Sequence, residues 1–335
     1  MRATSPSLFL GTRCGLFRWQ DGVVAPISGG SDPICALLPM PLGRLLVGTE
    51  GSRVLQLGAD GRDAPDAGPL SREPITSLLL VPGTKRVLAG LRGGELFVSD
   101  DLGATFHARP RVGDGGTHLV LLPVPERPHS VLAFTDDGVW HSPDAGESFE
   151  RWSQPSPAGL FAGLRCAAVH PDDHRLWLVA SHGGLLRSLD GGRTWWPVDA
   201  FMPGTQARAR ALVFERCAPF RLFLLAESTA LPPEPSGPSP LAWSDDAGRS
   251  FHFVTSRRLD RARDPSGEIT SLAIWRDHDR TLAGLGTDRG ELLVWRGGDS
   301  EAEPIATAFP PISALAPVAA ARALDPSTSG IYLLP

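Results

Sequence analysis

Residues 188–195 read Ser-Leu-Asp-Gly-Gly-Arg-Thr-Trp, and this octapeptide pattern decides the fold because it returns three more times. The shared form is serine, any residue, aspartate, any residue, glycine, any residue, serine or threonine, and a closing aromatic. The other copies occupy residues 99–106, 142–149 and 244–251. Their starts are 43, 46 and 56 residues apart. A period of this size indicates a repeat architecture in which each copy marks one structural unit.

Each residue type in the octapeptide suits a tight turn between two strands. An aspartate carboxylate accepts backbone N–H groups within the turn. The glycine permits a positive φ, and the aromatic returns to the apolar interior as the next strand begins. We therefore predict a structural role for the aspartate and glycine of each copy: Asp101, Gly103, Asp144, Gly146, Asp190, Gly192, Asp246 and Gly248.

The pattern resembles the Asp-box repeat, also called the bacterial neuraminidase-type (BNR) repeat. The segment from His170 to Trp195 is very similar to the consensus of that repeat. The resemblance implies a β-propeller with four-stranded antiparallel blades, in which the box lies between the third and fourth strands of a blade. It covers essentially the whole chain, although only four blades carry the full box, and it points to a fold more than to a function.

The composition agrees with an all-β fold. Glycine supplies 37 and proline 32 of the 335 residues, and both interrupt helices. The composition therefore favours short strands joined by many turns. Hydrophobic residues make up 42% of the chain, which is enough for a packed core. No run of about 18 apolar residues occurs, so we expect no membrane-spanning helix.

A second alignment, on the short apolar strand that opens each repeat, gives seven blades. Ile75–Leu80 and Ile269–Ile274 are the clearest openings. At about 40–50 residues per blade, seven blades fill the chain. We predict one seven-bladed propeller domain over residues 1–335, with its blades at residues 7–29 plus 312–335, 33–67, 74–110, 116–154, 163–199, 207–255 and 268–308.

The two ends of the chain are predicted to close the ring. Residues 7–28 read as three strands of a blade that lacks its first strand. The missing strand appears at Ile312–Leu315, and residues 331–334 could add to the same blade. A blade that mixes strands from both ends latches the ring and hides the edges of the sheets.

The end of the central channel at which the inner strands begin, called the channel mouth below, is the first candidate site. Our alignment begins the seven inner strands at Cys35, Thr76, Thr117, Arg165, Arg210, Thr270 and Ser313. Two adjacent blades thus contribute Arg165 and Arg210, with Arg208 and His118 nearby. Neighbouring guanidinium groups favour a bound carboxylate or phosphate. The alternative is that each arginine pairs with an acidic neighbour inside the protein.

Two long insertions are predicted to flank this mouth. One is the proline-rich stretch Thr229–Pro240, and the other is Ser256–Glu268. Long loops on a rigid scaffold often carry function, so the second insertion is a candidate docking rim, although a solvated loop explains it equally simply. Its candidate binding residues are Arg257, Arg258, Arg261 and Arg263.

Charge and cysteine content limit the other classes of partner. The chain has 32 lysine and arginine residues against 37 acidic ones, for a net charge of −5. A general nucleic-acid binder is usually basic, so we expect no nucleic-acid partner.

The four cysteines lack CxxC spacing and are predicted to be buried free thiols. The short apolar stretch at residues 8–11 does not resemble a signal peptide, so we expect a cytoplasmic protein. Because a closed ring leaves no obvious edge for pairing, we expect a monomer.

Two His- and Asp-rich stretches and the nine tryptophans admit functional interpretations that we rank second. Residues 170–174 and 277–279 look rich in metal ligands, but both fall at equivalent turns between the first and second strands, which indicates turn chemistry. We therefore predict no metal site and no cofactor. The tryptophans fall mostly in strands and are predicted to fill the blade core.

Enzyme signatures are sparse. The sequence has no G-x-S-x-G, P-loop or H-E-x-x-H motif. The sialidases that share the Asp box use a tyrosine nucleophile and three arginines, and they resemble six-bladed rings. Here the only tyrosine is Tyr332, and the family's early Phe/Tyr-Arg-Ile-Pro motif is absent. Other glycosidases need only two facing carboxylates, which a sequence with 37 acidic residues does not exclude.

We therefore expect a non-catalytic protein–protein interaction or assembly scaffold that uses an arginine-bearing face at the channel mouth. Its partner would be a protein that presents an acidic or carboxylate-bearing segment. In this the chain looks like the assembly-factor propellers of bacteria and plastids, which use an arginine-rich face. The alternative is a glycoside hydrolase or lyase with its site in the channel mouth.

Overall fold

A computed structural model describes residues 7–318 except residues 21, 28–31, 59–67, 117, 153–158, 199–208, 217–219, 228–239, 255–258, 260–267, 278–279, 298–301 and 307–308. Its strands form seven antiparallel sheets, which are called blades one to seven here. Blade one combines β27 (Ile312–Val318), β1 (Ser7–Thr12), β2 (Gly15–Gln20) and β3 (Val23–Ile27).

The other six blades follow one another along the chain, each running from its first strand to its last. Blade two is formed by β4 (Ile34–Pro39), β5 (Leu45–Thr49) and β6 (Val54–Leu57). Blade three is formed by β7 (Ile75–Leu80), β8 (Val87–Leu91), β9 (Leu96–Ser99) and β10 (His107–Arg109). Blade four is formed by β11 (Val120–Pro123), β12 (Val131–Thr135), β13 (Gly138–Ser142) and β14 (Glu150–Arg151). Blade five is formed by β15 (Cys166–Val169), β16 (Trp177–Ser181), β17 (Gly184–Ser188) and β18 (Trp196–Val198). Blade six is formed by β19 (Ala209–Phe214), β20 (Leu222–Ala226), β21 (Leu241–Ser244) and β22 (His252–Phe253). Blade seven is formed by β23 (Ile269–Asp277), β24 (Arg280–Thr287), β25 (Leu292–Arg296) and β26 (Glu303–Ala306).

The seven first strands contact one another in an unbroken circle. β4 contacts β7, the contacts continue through β11, β15, β19 and β23 to β27, and β27 contacts β4 again. This circle is the wall of a central channel, with the other strands of each blade further out. The predicted all-β, seven-bladed propeller is therefore confirmed. Blade two shows three strands within the described residues, since 59–67 lie outside them.

Strands from both ends of the chain close the ring, as predicted. β27 pairs antiparallel with β1, so that Leu315 lies opposite Leu10. The hydroxyl of Ser313 donates to the backbone oxygens of Gly11, 3.2 Å away in the same blade, and of Ile34, 2.5 Å away in blade two. The blade that joins the two ends is thus also bonded to its neighbour. The further strand predicted at 331–334 lies outside the described residues.

Burial decreases from the inner strands to the outer edge of each blade. The second strands of blades two to six are buried at every position, and they read as short apolar runs because both faces of the sheet pack against neighbouring blades. The fourth strands of blades three to six are short and largely exposed. Function that needs solvent access is therefore confined to the two faces and the rim.

The four octapeptide turns join the third and fourth strands of blades three to six. In blade three, the Ser99 hydroxyl donates to Asp101 Oδ1 at 2.7 Å and accepts the N–H of Gly103 at 2.8 Å. The Asp101 carboxylate accepts the backbone N–H and the hydroxyl of Thr105 at 2.9 and 2.7 Å. The same four hydrogen bonds recur in the turns that begin at Ser142, Ser188 and Ser244.

These hydrogen bonds favour the charged carboxylate of each turn. Partial burial raises the pKa of Asp101, but the hydrogen bonds from Thr105 and Ser99 outweigh it and lower that pKa to about 2. The pKa of Asp246 is lowered to about 2 by the same balance. Each aspartate is thus held as an ionised acceptor that closes its turn.

The described cysteines differ in burial. Cys35 and Cys166 are free and buried, whereas Cys14 is exposed, so the prediction that all the cysteines are buried was wrong for Cys14.

Trp177 is buried, but Trp196 is 62% exposed and does not fill a core. No helix within the described residues has both the length and the apolar composition needed to span a bilayer.

Candidate functional site

The channel mouth carries an ionisable residue at the same place in every blade. The first residue after the second strand is arginine, glutamate, aspartate or histidine in all seven blades, and this set is called the mouth ring below. Its members in blade order are Arg13, Glu50, Arg92, Asp136, His182, Glu227 and Asp288.

Backbone hydrogen bonds give five members of the mouth ring a common position. The N–H of each donates to the carbonyl of a residue just before the first strand of its own blade. Glu50 donates to Pro33 at 2.9 Å and Arg92 to Pro74 at 3.0 Å. The corresponding bonds of Arg13, His182 and Asp288 reach Pro311, Ala162 and Glu268 at 3.2, 3.1 and 3.0 Å. The ring therefore lies beside the starts of the inner strands, around the mouth.

Arg165 and Arg210, the two arginines singled out from the sequence, are each held by a carboxylate. Nη1 of Arg165 lies 3.2 Å from Oε1 of Glu227, a mouth-ring residue of the next blade. Nη2 of Arg210 lies 2.9 Å from Oε2 of Glu268, which immediately precedes blade seven. The sequence left two alternatives open, a bound anion or an acidic neighbour inside the protein. The structure shows the second for both arginines.

These two ion pairs differ in solvent access. The side chain of Glu227 is 8% exposed while that of Arg165 is 39% exposed. Arg165 thus holds a buried carboxylate while part of its own side chain stays exposed. In the second pair the exposure is reversed, at 23% for Arg210 and 40% for Glu268. A ligand in the mouth would therefore meet the cation of the first pair and the anion of the second.

His118 lies between blades four and five and is half-buried. Burial lowers its pKa, and the charges of Arg165 and Arg92 lower it further against the opposing charge of Asp136. Its imidazole is therefore neutral near pH 7. Its Nδ1 is buried with no hydrogen-bond partner among the described residues. The charges of the mouth-ring residues Arg92 and Asp136 and of Arg165 thus all act on His118.

The mouth is therefore mixed in charge. The mouth ring contributes two arginines and four carboxylates, and the pairs with Arg165 and Arg210 add two further cations and Glu268. The inner-strand positions alone predict an arginine-bearing face, which the structure shows to be flanked by carboxylates. The carboxylates come from the ends of the second strands, where each buried apolar run is followed directly by an ionisable residue; that recurring step was the signal available in the sequence.

Several residues singled out from the sequence lie outside the described residues. These include Thr117 and the prolines from 232 to 238. The predicted binding residues in this group are Arg208, Arg257, Arg258, Arg261 and Arg263.

The first of the two candidate metal stretches occupies a turn. Residues 170–174 lie between β15 and β16, where Asp173 accepts the N–H of Arg175 at 3.0 Å. His170 packs edge-on against Phe214, 5.1 Å between ring centroids, and burial lowers its pKa. Asp277 ends β23, while residues 278–279 lie outside the described residues. Within the described chain no three metal-binding side chains cluster together.

The fold and the mouth define a seven-bladed β-propeller with a charged channel entrance. No family model matches the chain, and no curated protein matches it. It is similar in fold to a solved structure described as YCF48 bound to D1 peptide, with a TM-score of 0.61 at 12% identity over 91% of this chain and 85% of that one.

Two further solved structures are similar. One is the computationally designed protein Ika8, with a TM-score of 0.55 at 14% identity over 97% of this chain and 92% of that chain. The other is a GH74 enzyme from Niastella koreensis, with a TM-score of 0.48 at 13% identity over 84% of this chain and 39% of that chain. At these identities the similarity is one of fold alone.

Proposed function

We propose that this chain is a non-catalytic protein-interaction module of the Asp-box (BNR) propeller type, and that it binds a protein partner at the channel mouth. The octapeptide turns support the family assignment, because serine, aspartate, glycine and the hydroxyl residue each make the same contact in all four copies. The propeller of similar fold solved as YCF48 bound to D1 peptide supports a role in binding a protein partner.

The observation that carries the proposal is the mouth ring together with its two arginine–glutamate pairs. Seven blades place ionisable residues around one opening, and in five of them a repeated hydrogen bond fixes the backbone. Charged groups on a rigid rim fix the register and orientation of a partner. They also attract it over distance, through a field that salt screens.

The partner segment is expected to carry a carboxylate that reaches Arg165. The arginine has donors left over, since a guanidinium has five N–H groups and the one contact with Glu227 uses Nη1. With 39% of its side chain exposed, Arg165 can take a second carboxylate without giving up the first. The exposed carboxylate of Glu268 would repel a uniformly acidic segment, so a cation near the acidic group would improve the fit.

The alternative, a glycoside hydrolase or lyase in the mouth, is less well supported. Such enzymes need two carboxylates that face each other across the scissile bond, about 5–10 Å apart. Of the mouth carboxylates, those of Glu227 and Glu268 are each engaged by an arginine. Those of Asp136 and Asp288 accept the backbone N–H groups of Leu164 and Glu268, each at 2.8 Å. That arrangement suits a binding rim better than an acid–base pair.

The test compares two double variants of the full chain. Arg165→Ala with Arg210→Ala removes both mouth arginines, and Arg175→Ala with Arg296→Ala is the matched control. Arg175 and Arg296 also pair with carboxylates, at 3.3 and 2.7 Å, but lie on a turn between first and second strands and on an outer strand. Binding to an array of short acidic and mixed-charge peptides should be lost in the first variant and kept in the second. Equal peptide binding by both double variants would show that the mouth arginines take no part in binding the partner.

A further inference from the structure

Two ion pairs of opposite polarity flank blade six at the channel mouth. Glu227, directly after the second strand of blade six, pairs with Arg165 of blade five. Arg210, in the first strand of blade six, pairs with Glu268 of blade seven. Arg165 and Glu268 have the same place in their own blades, since each immediately precedes the inner strand. Blade six therefore has a cation on one side and an anion on the other.

Backbone hydrogen bonds hold both flanking residues in place. The N–H of Arg165 donates to the carbonyl of Ala180 at 2.8 Å. The N–H of Glu268 donates to Oδ1 of Asp288 at 2.8 Å, and the carbonyl of Glu268 accepts the N–H of Asp288 at 3.0 Å. The order of the two charges across blade six is therefore built into the backbone of the mouth.

The flanking member of each pair is the more exposed one. The side chain of Arg165 is more exposed than that of Glu227, and the side chain of Glu268 is more exposed than that of Arg210. The members that blade six contributes are thus the covered ones. A ligand lying over blade six meets Arg165 toward blade five and Glu268 toward blade seven.

Both exposed groups have capacity for a further contact. A guanidinium has five N–H donors, and a carboxylate has about four acceptor positions. The contact between Arg165 and Glu227 uses Nη1 of the arginine, and the contact between Arg210 and Glu268 uses Oε2 of the glutamate. These two contacts therefore do not saturate either group.

We propose that the mouth over blade six selects a partner segment that carries both charges, an acidic side chain that reaches Arg165 and a basic side chain that reaches Glu268. This rests on the proposed function and assigns the partner's charge pattern. A purely acidic segment is attracted by Arg165 but repelled by Glu268, and a purely basic segment meets the reverse. Glu268 is therefore the residue that determines specificity for the mixed segment.

The same charge order fixes how the segment lies across the mouth. Turned end to end, the segment would set its acidic side chain against Glu268 and its basic side chain against Arg165, and like charges in contact are strongly disfavoured. An extended segment presents every second side chain on one face. The acidic and basic residues of the partner are therefore expected an even number of positions apart.

The experiment measures the binding of short labelled peptides to the full chain by fluorescence anisotropy, at one ionic strength. The peptides share a neutral frame and carry a glutamate and a lysine, the glutamate alone, the lysine alone, or neither. The mixed peptide is made with its two charges at even and at odd separations. The wild type should bind the best mixed peptide about two- to fivefold more tightly than the glutamate peptide, which is the effect of one exposed ion pair.

Glu268→Gln should remove the benefit of the lysine and keep that of the glutamate. Glu303→Gln is the matched control, because Glu303 is also exposed and lies 2.7 Å from Nη1 of Arg296, but on an outer strand; it should bind every peptide as the wild type does. Arg165→Gln combined with Glu227→Gln neutralises the other pair without leaving a lone buried charge. This double variant should remove the benefit of the glutamate and keep that of the lysine.

The outcomes separate the charge pattern from the proposed function. If the wild type binds the glutamate peptide but binds no mixed peptide more tightly, or if Glu268→Gln keeps the preference for the mixed peptide, the two-charge proposal is overturned while the mouth remains a binding site. If the wild type binds none of the charged peptides, the proposed function fails and the two-charge proposal fails with it. If the variant at Arg165 and Glu227 does not fold, Glu268→Gln still decides.

Discussion

Arg165 of blade five and Glu227 of blade six join their blades by an ion pair, with 3.2 Å between Nη1 and Oε1. The side chain of Glu227 is almost fully buried, whereas that of Arg165 is partly exposed. The two blades are therefore joined at a buried carboxylate, and the contribution of this pair to stability can be measured by changing Glu227 alone.

Replacing Glu227 with Gln should destabilise the protein by about 1–3 kcal/mol, because Arg165 loses its charged partner at a buried position. Glu268→Gln removes the carboxylate of the more exposed pair and should cost about 0.5 kcal/mol. Urea unfolding of both variants measures the difference. Equal losses would mean that the burial of Glu227 does not set the strength of its pair.

Replacing Gly192 with Ala should destabilise blade five by about 2–4 kcal/mol. Its φ is +81°, and a Cβ there would lie 2.3 Å from Cζ3 of the buried Trp177. Gly191→Ala is the control, with a φ of +72° but a nearest contact of 3.9 Å, so it should cost only the strain of about 1–2 kcal/mol. Thermal unfolding distinguishes them, and similar losses would show that the core near Trp177 yields to the added methyl group.

Replacing Asp246 with Ala should cost about 1–2 kcal/mol at pH 7, since its turn loses an acceptor of four hydrogen bonds. Asp245→Ala, at the exposed neighbouring position, should cost little. The test is urea unfolding of both variants, and equal losses would remove the case for a structural aspartate.

The same turns predict a loss of stability in acid. The pKa values of Asp101 and Asp246 are lowered from the ordinary 3.8 to about 2. The unfolded chain therefore takes up protons first, so these groups stabilise the fold above about pH 4, and that contribution is lost as the pH falls toward 2. The gap between Asp246→Ala and Asp245→Ala should shrink between pH 4 and pH 2. A gap that stays constant would assign the stabilisation to something other than the charge.

The cysteines should differ in reactivity with a thiol reagent at pH 8. Cys14 is exposed and should react in the native protein. Burial, with the nearby charge of Glu50, raises the pKa of Cys35 to about 12, and burial also raises that of Cys166. Both should therefore react only after unfolding. Mass spectrometry assigns each adduct, and Cys14→Ser is the control; rapid labelling of native Cys166 would contradict the prediction.

The fold could be predicted because its determinants are local. The octapeptide from Ser188 to Trp195 closes a turn through contacts within eight residues, and the period of such turns sets the blade count. The closing strand was also predictable, since blade one lacks a first strand in sequence and Ile312–Val318 supplies it. Local patterns repeated at a fixed spacing are what a single sequence reveals best.

The site was only half predictable, because its partners come from different blades. Arg165 stood out from the sequence, but Glu227 is 62 positions away and pairs with it only after blades five and six pack together. Charge relationships between blades need the three-dimensional structure.

The hydrogen bond from Ser313 to Gly11 joins residues 302 positions apart. Blades three to seven can each form from neighbouring segments, whereas blade one must await the strand at residues 312–318. During synthesis on the ribosome, strands β1 to β3 therefore emerge long before their partner and leave an unpaired edge. A circular permutant that begins at β27 and runs directly into β1 would make that blade local as well, and it should close the ring faster because the loop-closure entropy of this contact falls.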